Sequence, residues 1–192
     1  MVEDVEARKR ALRAELRERR RVTPIARRAA ATAALTQNLV DLVADLRVGY
    51  LAAYLSTPDE PNTRDFLRWT AEHDIRVLIP VSRDDGLLDW APYDGEAEDT
   101  DALGMPTPTS ELLGPIAINE VDLILVPAAA VDRSGMRMGW GMGYFDKTLG
   151  SMEACPPVYA VIFDDELVGS VPRERHDMPV NGVVTPSGIV SF

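Results

Sequence analysis

From Asp4 to Arg21 apolar residues return every three to four positions. Val5, Leu12 and Leu16 fall on one stripe and Lys9, Arg13, Arg17 and Arg20 on the neighbouring one, which predicts an amphipathic helix. Thr23-Pro24 reads as a stop and restart, with Thr23 as N-cap and Pro24 at the first helical position. The Ala-rich helix that follows is expected to turn Ile25, Ala29, Leu35, Leu39, Leu42, Val43 and Leu46 toward a core. The period then changes. Residues 48–55 are apolar on both faces, as in a central parallel strand. Further buried strands are expected at 77–81, 121–127, 158–163 and 183–185. A helix from Thr63 to His73 should turn Phe66, Leu67, Thr70 and Ala71 inward. Asp84-Asp85-Gly86 has turn chemistry, and 87–93 reads as a short antiparallel excursion. Residues 94–110, rich in Asp, Glu, Thr and Pro, read as a surface loop or a mobile lid.

Strands alternating with helices imply an α/β fold of three layers, Rossmann-like, with a mostly parallel central sheet flanked by helices. Residues 1–192 contain no internal repeat and no linker, so one domain is expected. A chain of this size buries roughly 70% of its unfolded surface. At 46% hydrophobic residues it needs no metal or disulfide staple.

The single cysteine, Cys155, beside Pro156 and Pro157, has no internal partner and suits a reducing compartment. No stretch approaches the ~18 apolar residues of a membrane span. The charged start lacks the apolar core of a signal peptide, so a cytoplasmic location is expected. The net charge of −11 is uneven: residues 1–28 carry +5 and the remainder −16. An acidic body argues against nucleic acid as a partner. The basic start reads as a solvated helix face, an RNA-binding arm, or one wall of an anion site, and composition alone favours the first.

The densest chemistry lies in Asp132-Arg133-Ser134-Gly135-Met136-Arg137-Met138-Gly139-Trp140-Gly141-Met142-Gly143-Tyr144-Phe145-Asp146, between the 121–127 strand and a helix beginning near Tyr144. Alternating glycines let backbone lie bare against a ligand, and a helix N-terminus favours an anion. By itself the string reads equally as a phosphate cradle or a steric turn. Arg137 adds a planar cation suited to phosphate oxygens, and Asp146 a carboxylate that suits either Mg²⁺ or the helix dipole. No Gly-Lys-Ser/Thr follows, and the spacing is not that of a dinucleotide fold.

The string Asp132-x-x-Gly135-x-Arg137-x-Gly139-x-Gly141-x-Gly143-Tyr144-Phe145-Asp146 resembles the signature of the 5-formyltetrahydrofolate cyclo-ligases. Lys9-Arg10-Ala11-Leu12-Arg13, Leu55-Ser56 with Asp59-Glu60, Gly104-Met105-Pro106-Thr107-Pro108 and His176-Asp177-Met178-Pro179-Val180 resemble other elements of that family, in the same order. The resemblance implies ATP contacts at Lys9, Arg13 and Arg137 and along Met138, Gly139, Trp140, Gly141, Met142, Gly143, Tyr144 and Phe145. It implies folate contacts at Leu55, Glu60, Trp140, Gly141, Met142, Gly143 and Tyr144, and Mg²⁺ at Asp146 and Asp177. Arg137 would stabilise the transferring phosphoryl group. His176 reads as structural. Some relatives carry Arg and Lys where this chain has Trp140 and Met142, so its cradle would rest on backbone N–H groups and Arg137. Leu103, Thr107 and Asn181 also depart from the family pattern.

The implied activity is ATP- and Mg²⁺-dependent cyclisation of 5-formyltetrahydrofolate to 5,10-methenyltetrahydrofolate, with ATP and folate as its small-molecule partners and no nucleic acid or membrane; a monomer is expected, with a dimer as the open alternative. Two rivals make other forecasts. A non-catalytic relative would bind ATP without turnover, and a sugar-phosphate isomerase or acyl-CoA transferase of similar layered plan would work without ATP.

Overall fold

The computed structural model describes residues 4–192. In chain order the elements are α1 (Val5–Val22), α2 (Ile25–Leu46), β1 (Tyr50–Ala52), α3 (Arg64–Glu72), β2 (Arg76–Ser82) and β3 (Leu88–Pro92). Next come β4 (Glu98–Thr100), β5 (Pro106–Pro108), β6 (Leu123–Pro127), β7 (Ala130–Asp132) and β8 (Arg137–Met138). The last are α4 (Tyr144–Ser151), β9 (Val158–Val161), β10 (Leu167–Val168), β11 (Gly182–Thr185) and β12 (Gly188–Ser191).

The central sheet runs β12-β11-β9-β6-β1-β2-β3, parallel from β11 to β2 and closed by an antiparallel strand at each edge. Ranked by chain order, its five parallel strands lie 2-1-3-4-5, so the winding reverses between β1 and β6. Doubly wound sheets open a crevice at that reversal, outside the carboxyl ends of the strands. Alternation along the strands sorts the core into two layers. Leu51, Ile79, Leu123 and Leu125 face Leu35, Leu39, Leu42, Phe66 and Leu67 of α2 and α3. Ala52, Leu78, Ile124 and Val126, together with Trp90 of β3, pack with Ile118 and Leu149 on the other side. Full burial of each such aliphatic side chain contributes about 1.5–3 kcal/mol. A small sheet, β10-β7-β8, sits at the strand ends, and α1 packs Leu16 against its Ala130 and Met138.

Several expectations need correction. Thr23 is not the N-cap of α2. It ends α1, its hydroxyl donating to Arg19 O at 2.9 Å, and Pro24 holds the cap position without a side-chain bond. Ile25, Ala29, Leu46 and Ala71 are exposed, while the buried positions of α2 and α3 are Leu35, Leu39, Leu42, Val43, Phe66, Leu67 and Thr70. The acidic stretch at 94–110 contains the β4–β5 hairpin, and a further hairpin strand, β12, follows β11. The helix-breaking glycine string does not leave β6 directly; the β7–β8 hairpin intervenes. Asp132 organises that hairpin's turn. Its Oδ1 accepts from Ser134 N, Ser134 Oγ and Met136 N, and its Oδ2 accepts from Val171 N. Among the described residues no helix is long and apolar enough to cross a membrane.

Candidate active site

The carboxyl ends of β1, β2 and β6 deliver Tyr54, Leu55, Pro80, Ser82 and Pro127 to one cavity of about 420 Å³ at the reversal point. β1 leaves its ladder after Ala52 but stays buried through Ser56, so Tyr54 and Leu55 form the inner wall. Every residue singled out above for ATP, folate or metal lines this cavity: Lys9, Arg13, Leu55, Glu60, Arg137 through Asp146, and Asp177.

The glycine string forms one wall, and each glycine serves a different need. Gly143, at φ +71°, is the left-handed N-cap of α4, so the first turn presents its N–H groups to the cavity. Gly141 has φ +108° and lies where a Cβ would sit 3.4 Å from the Arg13 guanidinium. A Cβ on Gly139 would come within 2.8 Å of Arg137 Nη1. Arg137, fully buried, donates from Nη2 to Asp146 Oδ1 at 2.8 Å, and Met178 N donates to the same oxygen at 3.1 Å. Trp140 turns its ring under Arg17 and Arg20, 5.2 and 4.8 Å from its centroid, while Met142 stands exposed at the rim. The Met138 side chain packs into the core under the loop.

The opposite wall is α1. Its stripe of Lys9, Arg13, Leu16 and Arg20 is turned inward, so at these positions the solvated-face reading fails, and Lys9 and Arg13, which line the cavity, fit the anion-wall reading; Arg17 and Arg19 remain exposed. Lys9 Nζ donates to Asp177 Oδ2 at 2.7 Å and Glu174 Oε2 at 2.8 Å. Burial alone would lower the lysine pKa, but these two carboxylates outweigh it and hold the ammonium above its ordinary value. Arg13 donates from Nε to Gly139 O at 2.9 Å and pairs with Glu6 at 3.0 Å.

At the far end Glu60 is fixed through Oε2, which accepts from Thr57 N at 2.8 Å and Thr57 Oγ1 at 3.1 Å. Burial pushes its carboxyl above the usual range, and the Thr57 bonds oppose that rise. Leu103 and Met105, at the tip of the β4–β5 hairpin, close the cavity from above. Asp101 shapes that tip, accepting from Ser82 N, Leu103 N and Met105 N. Thr107 lies buried in β5, and Asn181 ties β11 to β9 through Val158 N at 2.8 Å, both away from the cavity.

Sequence reasoning missed Tyr54 and Glu174. Tyr54 lay hidden in an apolar run, and Glu174 in an irregular segment with no periodic signal. The ligand atoms of Glu174, His176 and Asp177 lie within 4.8 Å of one another, with His176 exposed. Cys155 is exposed and does not line the cavity.

Fold and cleft together define a doubly wound α/β protein whose strand-end cavity is lined by Lys9, Arg13, Arg137, the glycine loop and a set of apolar side chains. A profile of the 5-formyltetrahydrofolate cyclo-ligase family matches residues 5–186. The chain therefore belongs to the 5-formyltetrahydrofolate cyclo-ligase family. It is 38% identical over 187 residues to the 5-formyltetrahydrofolate cyclo-ligase of Mycolicibacterium smegmatis, covering 94% of this chain and 95% of that one. The Escherichia coli enzyme of the same name is 29% identical over 145 residues, 72% of this chain and 79% of its own. In fold the chain is similar to 5,10-methenyltetrahydrofolate synthetases from Aquifex aeolicus and Mycoplasma pneumoniae. The first has a TM-score of 0.78 at 22% identity, covering 95% of this chain and 92% of that one. The second has 0.74 at 18% identity, covering 93% and 98%.

Proposed function

We propose that this enzyme closes 5-formyltetrahydrofolate to 5,10-methenyltetrahydrofolate, consuming ATP and releasing ADP and phosphate. The observation that carries the reading is the placing of two unlike walls on one cavity: Lys9, Arg13 and the amides of the glycine loop on one side, Leu55 and Glu60 on the other. The names of the M. smegmatis and E. coli relatives point the same way.

The chemical obstacle is a formamide oxygen, which is a poor leaving group. Transfer of the γ-phosphoryl group breaks the bond to the ADP oxygen and forms one to the formyl oxygen. The lone pair of N10 then attacks the formyl carbon, the N10 proton is released, and phosphate leaves carrying the former formyl oxygen. No side-chain nucleophile is required. Positioning and charge stabilisation are what such a reaction asks of a protein.

Lys9 and Arg13 would grip the triphosphate from the helix side, and Gly139 through Phe145 from the loop side. Arg137, in the catalytic role, would balance charge developing on the transferring group. Glu60 would accept adjacent N–H donors of the pterin edge, its second oxygen having no protein hydrogen bond among the described residues. Leu55, Trp140 and Tyr144 would flank the ring.

Asp146 and Asp177 suit Mg²⁺. Each is a hard oxygen donor with one oxygen committed to protein groups, and the ammonium of Lys9 already occupies a cation's place between Asp177 and Glu174. Bound there, Mg²⁺ would supply charge neutralisation on the phosphates. The reading extends to a cytoplasmic monomer acting on these two small anions, with no role for nucleic acid or membrane.

Oxygen tracing tests the mechanism. Substrate labelled with oxygen-18 in the formyl group should give labelled inorganic phosphate, one atom per turnover. Unlabelled phosphate with labelled water would refute phosphorylation of the formyl oxygen.

A further inference from the structure

Lys9, Arg13, Leu16 and Arg20 recur at spacings of four, three and four, one face of α1, yet the last of them does not reach the cavity. Arg20 is 4% exposed and Glu166 2%. Arg20 Nε donates to Glu166 Oε1 at 2.7 Å and Nη2 to Oε2 at 2.9 Å, a two-bond fork. Nη2 also donates to Ala128 O at 2.9 Å, just past the end of β6. The guanidinium lies 4.8 Å from the Trp140 ring centroid and 5.6 Å from that of Phe163. Glu166 is fixed in turn, accepting from Phe163 N at 2.9 Å.

A buried pair of this kind is poor evidence of stability, because well-packed apolar residues of similar volume often do as well. What a fork supplies is geometry. This one references α1 at once to the chain after β6, to the segment after β9, and to the glycine loop through Trp140. Sliding a helix by one residue moves it about 1.5 Å and turns its side chains by about 100°. Such a slip would take Lys9 and Arg13 off the wall of the cavity.

We infer that Arg20 and Glu166 are a positioning pair for the nucleotide half of the site, holding α1 in the register that sets Lys9 and Arg13 against the glycine loop. The inference rests on the proposed reading of Lys9 and Arg13 as phosphate contacts. Neither residue of the pair lines the cavity.

The test is the double variant R20M/E166L beside R20K. The apolar pair should keep the thermal midpoint within a few degrees of wild type. Its KM for ATP should rise about tenfold, as expected when charged contacts are misplaced and not removed. The kcat at saturating ATP should stay within about twofold. R20K keeps the charge but loses the fork, and should shift the ATP KM in the same direction. Faster amide hydrogen exchange along residues 5–22 of the ligand-free variants should accompany both changes. A folded double variant with wild-type ATP KM would overturn the inference, as would a fall in kcat at saturating ATP with the ATP KM unmoved. If the double variant does not fold, R20K decides by the same criteria. If wild type shows no ATP-dependent turnover, the parent reading has failed, and unchanged exchange along α1 would then sink the positioning role independently.

Discussion

Replacing Lys9 by methionine removes a buried ammonium while keeping much of its aliphatic stem. In the folded protein this leaves Asp177, whose side chain is 7% exposed, with the Glu174 N–H at 2.7 Å as its one hydrogen-bond donor among the described residues. Glu174 is 38% exposed and returns to water. Deleting one partner of a fully buried pair costs about 3–5 kcal/mol. Here one carboxylate is solvated and screened and the other borders a cavity open to water, so about 1–2 kcal/mol is expected. For a chain of this size that corresponds to a fall of roughly 2–8 °C in thermal midpoint. The pH dependence has a definite sign. The folded pKa of Lys9 is raised above its ordinary 10.5, so its contribution is complete below that value and lost as pH climbs through the folded one. The gap between K9M and wild type should therefore be constant near neutrality and close under alkaline conditions.

Thermal unfolding of K9M, D177N and the double variant, with ATP KM measured on each, forms the assay. The single losses should fall short of adding by at least about 0.5 kcal/mol in the double variant, because the second change removes a partner already lost. Strict additivity would refute the pairing. A K9M enzyme with wild-type ATP KM would refute the assignment of Lys9 to the phosphates.

Tyr54→Phe removes a buried hydroxyl that has no hydrogen-bond partner among the described residues, so the thermal midpoint of the ligand-free protein should hold or rise. A fall of several degrees would mean the hydroxyl is satisfied after all. Asp132→Asn should cost stability most clearly above pH 4. Burial opposes ionisation of Asp132, but bonds from Ser134, Val171 and Met136 outweigh it and hold the pKa below 3.8; that contribution is present above 3.8 and lost as pH falls through the folded value. Unfolding curves between pH 3 and pH 7 check this, and a difference from wild type that does not shrink in acid would count against it.

The central strands were legible because both their faces are buried: 77–81, 123–127 and 158–163 are continuous apolar runs, and each contains a strand of the parallel sheet. The edges were not. β4 is entirely exposed and acidic and β5 is bounded by prolines, so neither carries the alternation that marks a strand. The inward turn of the α1 cations was equally hidden. Their partners lie far along the chain, Glu166 at 146 positions from Arg20 and Asp177 at 168 from Lys9, and no local pattern announces them. The glycine string was readable because its chemistry is contiguous. The groups it works beside were not, since Tyr54 and Glu174 reach the cavity only through the winding of the sheet and the path of an irregular segment.

The most direct measurement is the appearance of methenyltetrahydrofolate absorbance from 5-formyltetrahydrofolate and Mg²⁺, with and without ATP, in wild type and Arg137→Ala. Product is expected only with ATP, matched one for one by ADP. It should be slowed about 10²–10³-fold in the variant, the usual loss when one donor to developing charge is removed. Wild-type protein that binds ATP and folate but forms no product, or forms it without ATP, would contradict the account.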